Sequence, residues 1–90
     1  MNKTATFIKK RHAEFLQKIH QRYGDIILGV SMSEIARVTL NTLPTAICYM
    51  DRLEEHGYVK IYRITTNKKR IEINKEMYQE LMKEMPTLYK

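Results

Sequence analysis

The sequence contains a single cysteine, Cys48, among its 90 residues. One cysteine cannot form an intrachain disulfide, so the chain is not typical of secreted disulfide-rich scaffolds. The sequence also lacks an apolar run approaching the ~20 residues of a transmembrane helix. Its first residues, MNKTATFIKKRH, lack the apolar core of a signal peptide. These absences predict a cytoplasmic protein without a membrane partner.

Residue patterns typical of catalysis and of metal binding are missing as well. His12, His20, His56 and Cys48 do not have the spacing of zinc ligands. The sequence shows no nucleophile with its base, no phosphate-binding loop and no pair of catalytic carboxylates. We therefore expect neither an enzyme nor a metal or other cofactor. Because His12 lies within an apolar stripe, we expect it to be a hydrogen-bonded core or interface residue.

Positive charge is in excess and is unevenly distributed along the chain. The formal net charge is +6. Residues 1–24 contain six Lys or Arg against one acid, and residues 59–74 contain five against one. Residues 25–58, by contrast, contain two basic residues against five acidic ones. A basic balance favours an acidic partner such as nucleic acid or an anionic surface.

Hydrophobic periodicity predicts a first helix over residues 5–23. Gly24 is suited to the position just past its carboxyl end. The following run, DIILGV, fits either a short strand or a packed loop. Ser31 and Glu34 then have the spacing of a capping box, which predicts a short helix over about 32–38.

A third helix is predicted from a cap at Thr42, with Pro44 tolerated in its first turn, to about His56. A helical wheel sorts its side chains into two faces. The face predicted to be buried contains Leu43, Ala46, Met50 and Leu53, with Ile47 at its border. The face predicted to point outward contains Pro44, Thr45, Cys48 and Arg52, with Tyr49 and Asp51 at its flanks.

Two runs rich in β-branched and aromatic residues, YVKIYRI and RIEI, predict a hairpin with a polar connection. We expect Lys68, Lys69 and Arg70 at its tip. They form either an ordinary solvated turn or a finger that contacts the phosphates of nucleic acid. The basic residues at 9–11 have the same two interpretations.

A last helix is predicted over about 75–85, with Asn74 as its cap and Pro86 at its end. It carries a broad apolar face made of Met77, Tyr78, Leu81, Met82 and Met85. This is more apolar surface than one small core needs. We therefore expect a homodimer built from the first and last helices, in which the methionines fill core and dimer seam.

The second and third helices, joined by a three-residue break, form a helix-turn-helix candidate followed by a hairpin. The stretch MSEIARVTLNTLPTAICYMDRLEEHGYVKIYR resembles the helix-turn-helix and wing of winged-helix transcription regulators. The resemblance is to the small dimeric repressors of the MarR and PadR type. It covers residues ~30–76 and rests on Ser33–Ala36 and on Leu53–Val59.

This resemblance implies one winged-helix domain over residues 1–90, an α+β fold with a three-helix core, a β-hairpin wing and a C-terminal helix. It implies a homodimeric, nucleoid-associated repressor that binds specific sites in double-stranded DNA. The helix at about 42–56 would occupy the major groove, and the wing at 65–70 would lie on the adjacent backbone or minor groove. The residues implied to contact DNA are Thr42, Pro44, Thr45, Cys48, Tyr49, Arg52, Lys68, Lys69 and Arg70.

Several alternatives stay open at the level of sequence. Arg52 fits a bidentate contact to guanine, or an ion pair with Glu55 or Asp51. Tyr49 fits a contact to DNA or packing at the edge of the core. The whole domain fits a protein-interaction adaptor that uses its last helix, or an architectural protein that coats DNA without sequence preference, because the fold alone does not choose among these functions.

Overall fold

The computed structural model describes residues 9–88 of the chain and the side chains of residues 9–85. These residues form four helices and a three-stranded antiparallel sheet, which is an α+β fold. In chain order the elements are α1 (Lys10–Tyr23), β1 (Ile26–Val30), α2 (Met32–Val38), α3 (Leu43–Glu55), β2 (Val59–Arg63), β3 (Lys69–Ile73) and α4 (Lys75–Leu88).

The sheet has the strand order β1-β3-β2, so its last strand in sequence is the central one in space. Ile71 in β3 pairs with Ile27 on one side and with Ile61 on the other. Ile71 and Ile27 are fully buried beneath the helices, while Ile61 is half-buried. The run DIILGV, which fitted a strand or a packed loop, therefore contains an edge strand of this sheet.

The core lies between the inner face of the sheet and the four helices. Its buried aromatic and aliphatic side chains come from every element, and His12 lies at its edge with 5% of its surface exposed. The Nδ1 atom of His12 accepts a hydrogen bond from the backbone N–H of Lys9 at 3.2 Å. The expectation of a hydrogen-bonded core histidine is confirmed.

Polar side chains cap the amino-terminal ends of α2, α3 and α4 at the residues that the sequence predicts. Thr42 and Asn74 accept N–H groups in the first turns of α3 and α4, at 3.4 and 3.1 Å. Ser31 caps α2 by accepting the N–H of Glu34 at 3.2 Å. The Glu34 carboxylate accepts the hydroxyl of Tyr23 at 3.0 Å, so this side chain ties α1 to α2.

Two predicted helix boundaries are wrong. α1 begins at Lys10, because Lys9 has extended backbone angles, and residues 5–8 lie outside the described part of the chain. α4 does not end at Pro86 but continues to Leu88. A proline removes one N–H donor and strains the preceding turn, which weakens a helix near its end without forbidding it.

The turn between α2 and α3 is fixed by a small polar network. The buried hydroxyl of Thr39 donates to the carbonyl of Ile35 at 2.8 Å and accepts the side-chain amide of Asn41 at 2.9 Å. Leu40 between them has a φ of 61° and is 85% exposed. This left-handed backbone angle is unfavourable for a residue with a Cβ atom, and it sets the direction in which α3 leaves the turn.

Candidate nucleic-acid interface

The face of α3 that the sequence predicts to be buried is buried only in part. Ala46, Met50 and Leu53 are buried as expected. Leu43 and Ile47, which were expected to be buried or at the border, are each 41% exposed. They lie on the side of α3 that faces the hairpin, and the hairpin does not cover them. A surface hollow remains between the two elements.

The outer face of α3 presents most of the predicted contact residues. Pro44, Cys48 and Arg52 are exposed, whereas Thr45 is half-buried. The hydroxyls of Thr42 and Thr45 lie 2.9 Å apart, and Thr42 also caps the helix. The structure therefore brings Pro44, Cys48 and Arg52 together on one exposed surface. Thr42 and Thr45 are hydrogen-bonded to each other at the start of the helix.

Tyr49 lies at the junction of α3 and α1 rather than at the centre of that surface. Its ring makes edge contacts with the rings of His12 and Phe15, at centroid distances of 4.6 and 5.3 Å. The ring is half-buried and packs against the core. The ring of Tyr49 thus packs at the edge of the core, which is one of the two interpretations that the sequence left open. This packing holds α3 on α1.

Arg52 lies in the last turn of α3. Its guanidinium is 3.7 Å from the carboxylate of Glu55, one turn further along the helix. Both side chains are at least half exposed, so this ion pair contributes little to stability.

Burial, followed by the positive charges of Arg11 and Arg52, holds the pKa of His12 below its ordinary value.

The three basic residues predicted at the hairpin tip do not lie together. Lys68 belongs to the connection, whereas Lys69 and Arg70 are the first two residues of β3. Neighbouring strand residues point to opposite faces of a sheet. Lys69 accordingly lines the hollow beside α3, while Arg70 pairs with Glu72 at 2.6 Å. The single basic tip that the sequence predicts is therefore divided between two faces.

The hollow between α3 and the hairpin also contains residues that the sequence analysis missed. Arg63, at the end of β2, pairs with Lys69 in register and lines the hollow with it. Asp51 and Glu54 of α3 line the same hollow from the other side. Alternation along β2 from the buried Val59 could have identified Arg63, because it places every second residue on the inner face.

Nearer the tip, the hollow continues between the first turn of α3 and the connection of the hairpin. Leu43 and Ile47 line this part on the helix side, and Thr66 and Asn67 line it on the hairpin side. The connection is ordered by hydrogen bonds from the N–H groups of Ile64 and Thr65 to the carbonyl of Lys68. The first half of α3 and the end of the hairpin thus form one concave surface.

Within residues 9–88, no cluster of three or more His, Cys, Asp or Glu side chains is arranged to hold a metal ion. Over the same part of the chain, no helix combines the length and the apolar character needed to cross a membrane.

Neither a scan against protein-family models nor a search of curated proteins found a match to this chain.

Proposed function

We propose that this protein is a winged-helix transcription regulator, a homodimeric repressor that binds specific sites in double-stranded DNA. In this proposal α3 is the recognition helix and enters the major groove. The β2–β3 hairpin is the wing, and its basic residues contact the neighbouring phosphates or the minor groove. The resemblance of residues ~30–76 to the MarR and PadR regulators supports the same assignment.

The observation that carries the proposal is the position of the hairpin beside the first half of α3. The two elements share one concave surface, and Lys69 and Arg63 stand on its hairpin side. A recognition helix that enters the major groove lies next to the phosphates of the flanking strand. Cations in this position would have a phosphate within reach. Neither a helix nor a hairpin by itself would place cations beside a groove-binding helix in this way.

The two ends of α3 differ in charge, which indicates the end that enters the groove. Residues 42–50 carry no charge, while residues 51–55 carry three acids, Asp51, Glu54 and Glu55, against one base, Arg52. Carboxylates close to phosphates raise the free energy of binding. The first half of α3 therefore enters the groove, and the acids of the second half stay at its rim, from which the long side chain of Arg52 can still reach a base edge. Acids so close to the interface also disfavour indiscriminate coating of DNA, which relies on phosphate neutralisation.

The proposed dimer fits a symmetric site in which two half-sites lie about one helical turn apart. The apolar face of α4 is smaller than its sequence suggests, because Tyr78 and Leu81 are buried in the protomer's own core. Met82 and Met85 are half-buried against the same core. The expectation of a dimer therefore rests on the resemblance to dimeric repressors. Sedimentation at micromolar concentration should show a dimer, and a monomer there would contradict this part of the proposal.

The test is a footprint of the purified protein on the DNA upstream of its own gene, with competitor DNA and salt varied. Repressors that regulate themselves protect such a fragment. We expect protection that resists a large excess of unrelated duplex and that weakens steeply as salt is raised. Protection that is uniform along the fragment would identify an architectural protein, and no binding at 50 mM salt would refute the proposal.

A protein-interaction adaptor is the second candidate function, and one observation favours it. The outer face of the sheet carries the exposed apolar side chains Ile26, Leu28 and Tyr62. Ile26 and Tyr62 pair in register with Glu72 and Arg70 of β3, so this face lies away from the core. Specific DNA protection that survives Leu28→Asp would separate this surface from DNA binding.

A further inference from the structure

The half of α3 that enters the groove has few means to read bases by hydrogen bonds. The residues from Thr42 to Met50 include no Arg, Lys, Asn, Gln, Asp or Glu. Those are the side chains that usually read base edges by hydrogen bonds or ion pairs. The remaining polar groups at this end are partly occupied, because the hydroxyl of Thr42 caps the helix and contacts the hydroxyl of Thr45.

The same half presents apolar surface where a base edge would lie. Pro44, Ile47 and Cys48 are exposed and share one patch on the outside of α3. An uncharged cysteine behaves as a small apolar side chain. Ile47 belongs to this patch and also to the hollow beside the hairpin. Ile47 therefore lies where the outer face of α3 meets the side of the helix that faces the hairpin.

Charged side chains border this apolar patch. Lys69 and Arg63 lie on the hairpin side, opposite Asp51 and Glu54 of α3. Arg52 lines the patch itself, together with Asp51 and Glu55. The major groove is ~12 Å wide, close to the diameter of a helix, and has a phosphate strand along each edge. An uncharged apolar patch at the centre, with Lys69 and Arg63 towards one edge and the acids of α3 at the rim, fits this arrangement.

We propose that α3 selects its sites by apolar contact with the C5-methyl groups of thymine, through Pro44, Ile47 and Cys48. The thymine methyl is the one apolar group that the bases expose in the major groove. The expected sites carry thymines at the centre of each half-site. This inference rests on the proposed function, because it requires α3 to lie in the major groove.

The test starts from a library of random-sequence duplexes, from which the protein enriches its preferred site. Each thymine of that site is then replaced by deoxyuridine, which removes only the methyl group and keeps every hydrogen-bonding atom. We expect one or two replacements in each half-site to weaken binding about fourfold, the value of one buried methyl-sized group. The other replacements leave the affinity unchanged.

Variants then assign the methyl contact to α3. In Ile47→Ala, the penalty for deoxyuridine at one position should disappear, so that thymine and deoxyuridine duplexes bind alike. Cys48→Ser, which exchanges the thiol for a hydroxyl, should reduce the penalty at a different position. The matched control is Ile26→Ala, an exposed isoleucine on the outer face of the sheet, and it should keep the full penalty. Thermal unfolding of each variant shows that the fold is retained.

The outcomes separate the inference from the proposed function. An enriched site with a deoxyuridine penalty that Ile47→Ala removes supports both. An enriched site whose thymines can all be replaced without loss overturns the methyl contact and leaves the DNA-binding regulator standing. The same conclusion follows if the penalty is identical in all three variants. If the library yields no enriched sequence, the proposed sequence-specific function fails, and the inference fails with it.

Discussion

The helices α3 and α4 are alike in length and pattern but differ in what covers their apolar side chains. They have 13 and 14 residues, and both place apolar residues at helical spacing. α4 buries Tyr78 and Leu81 in the core, whereas α3 leaves Leu43 and Ile47 exposed beside the hairpin. Helical periodicity therefore identifies the residues that share a face, and only tertiary packing decides whether that face is covered.

The strongest way to break this comparison is to truncate one apolar side chain in each helix. Leu81→Ala removes a side chain that is 1% exposed and should lower the free energy of unfolding by about 2–5 kcal/mol. Ile47→Ala removes one that is 41% exposed and should cost less than about 1 kcal/mol. Urea denaturation of both variants measures the difference. Equal losses would mean that the hairpin closes over Ile47 in solution.

Substitutions in α3 should weaken DNA binding more than substitutions in α4, which is the reverse of their expected effects on stability. Arg52→Ala should weaken binding to the selected site by about 1–3 kcal/mol and relax the preference at one base pair, if its guanidinium leaves Glu55 for guanine. Lys83→Ala removes an exposed cation from α4 and is the control that should bind like the parent. Affinities from fluorescence anisotropy at fixed salt make the comparison. A normal affinity for Arg52→Ala would assign this residue to its ion pair alone.

The salt dependence of the affinity for DNA tests whether the hairpin contacts phosphates. Lys68→Ala combined with Lys69→Ala should weaken binding to all sequences, and the slope of log affinity against log salt should fall by about 0.9 for each lost phosphate contact. Lys60→Ala combined with Lys75→Ala removes the same charge from exposed positions away from α3. If both pairs flatten the slope equally, the effect is one of net charge and the hairpin is not a wing.

The turn before α3 should respond with a gain in stability. Leu40→Gly relieves the cost of a positive φ at a residue that is 85% exposed, so little packing is lost. We expect the free energy of unfolding to rise by about 0.5–1 kcal/mol, because the greater freedom of glycine in the unfolded chain offsets part of the relief. Leu40→Ala keeps the Cβ atom and should not stabilise. Thermal unfolding distinguishes the two.

The smallest effect concerns pH and the residue beneath α3. The pKa of His12 is held below its unfolded value of about 6.5, chiefly by burial. The unfolded chain therefore takes up the proton first as pH falls. The contribution of His12 to stability is complete above pH ~6.5 and declines as pH falls from there towards the folded pKa. His12→Asn keeps an acceptor for Lys9 and should remove this part of the pH dependence; an unchanged profile would assign it to another group.

The sequence predicts most of the fold because its signals are local. Caps at Ser31, Thr42 and Asn74 act within one turn, and alternation identifies the strands of the hairpin. Apart from the two helix ends, the misses depend on what lies further away in space. The exposure of Ile47 depends on how closely the hairpin approaches α3. Which of Lys69 and Arg70 faces α3 depends on the register of β3, since a shift of one position exchanges the two faces.

The candidate site was predicted less completely, for a related reason. Thr42, Pro44, Cys48 and Arg52 could be placed on one face because a helix repeats regularly. Arg63 was missed because the alternation of the hairpin strands falters near Ile64, although counting every second residue from the buried Val59 places Arg63 on the face towards α3.

The strand order also has a consequence for how the chain acquires this surface during its synthesis. β1 emerges from the ribosome early, but its partner β3 follows roughly forty positions later, and closing so long a loop costs entropy that a tight hairpin does not pay. β2 and β3 close over a short connection and can pair first. We expect β1 to dock last onto the finished hairpin. A nascent chain stalled before β3 would expose Ile27 and hold α3 without its neighbour.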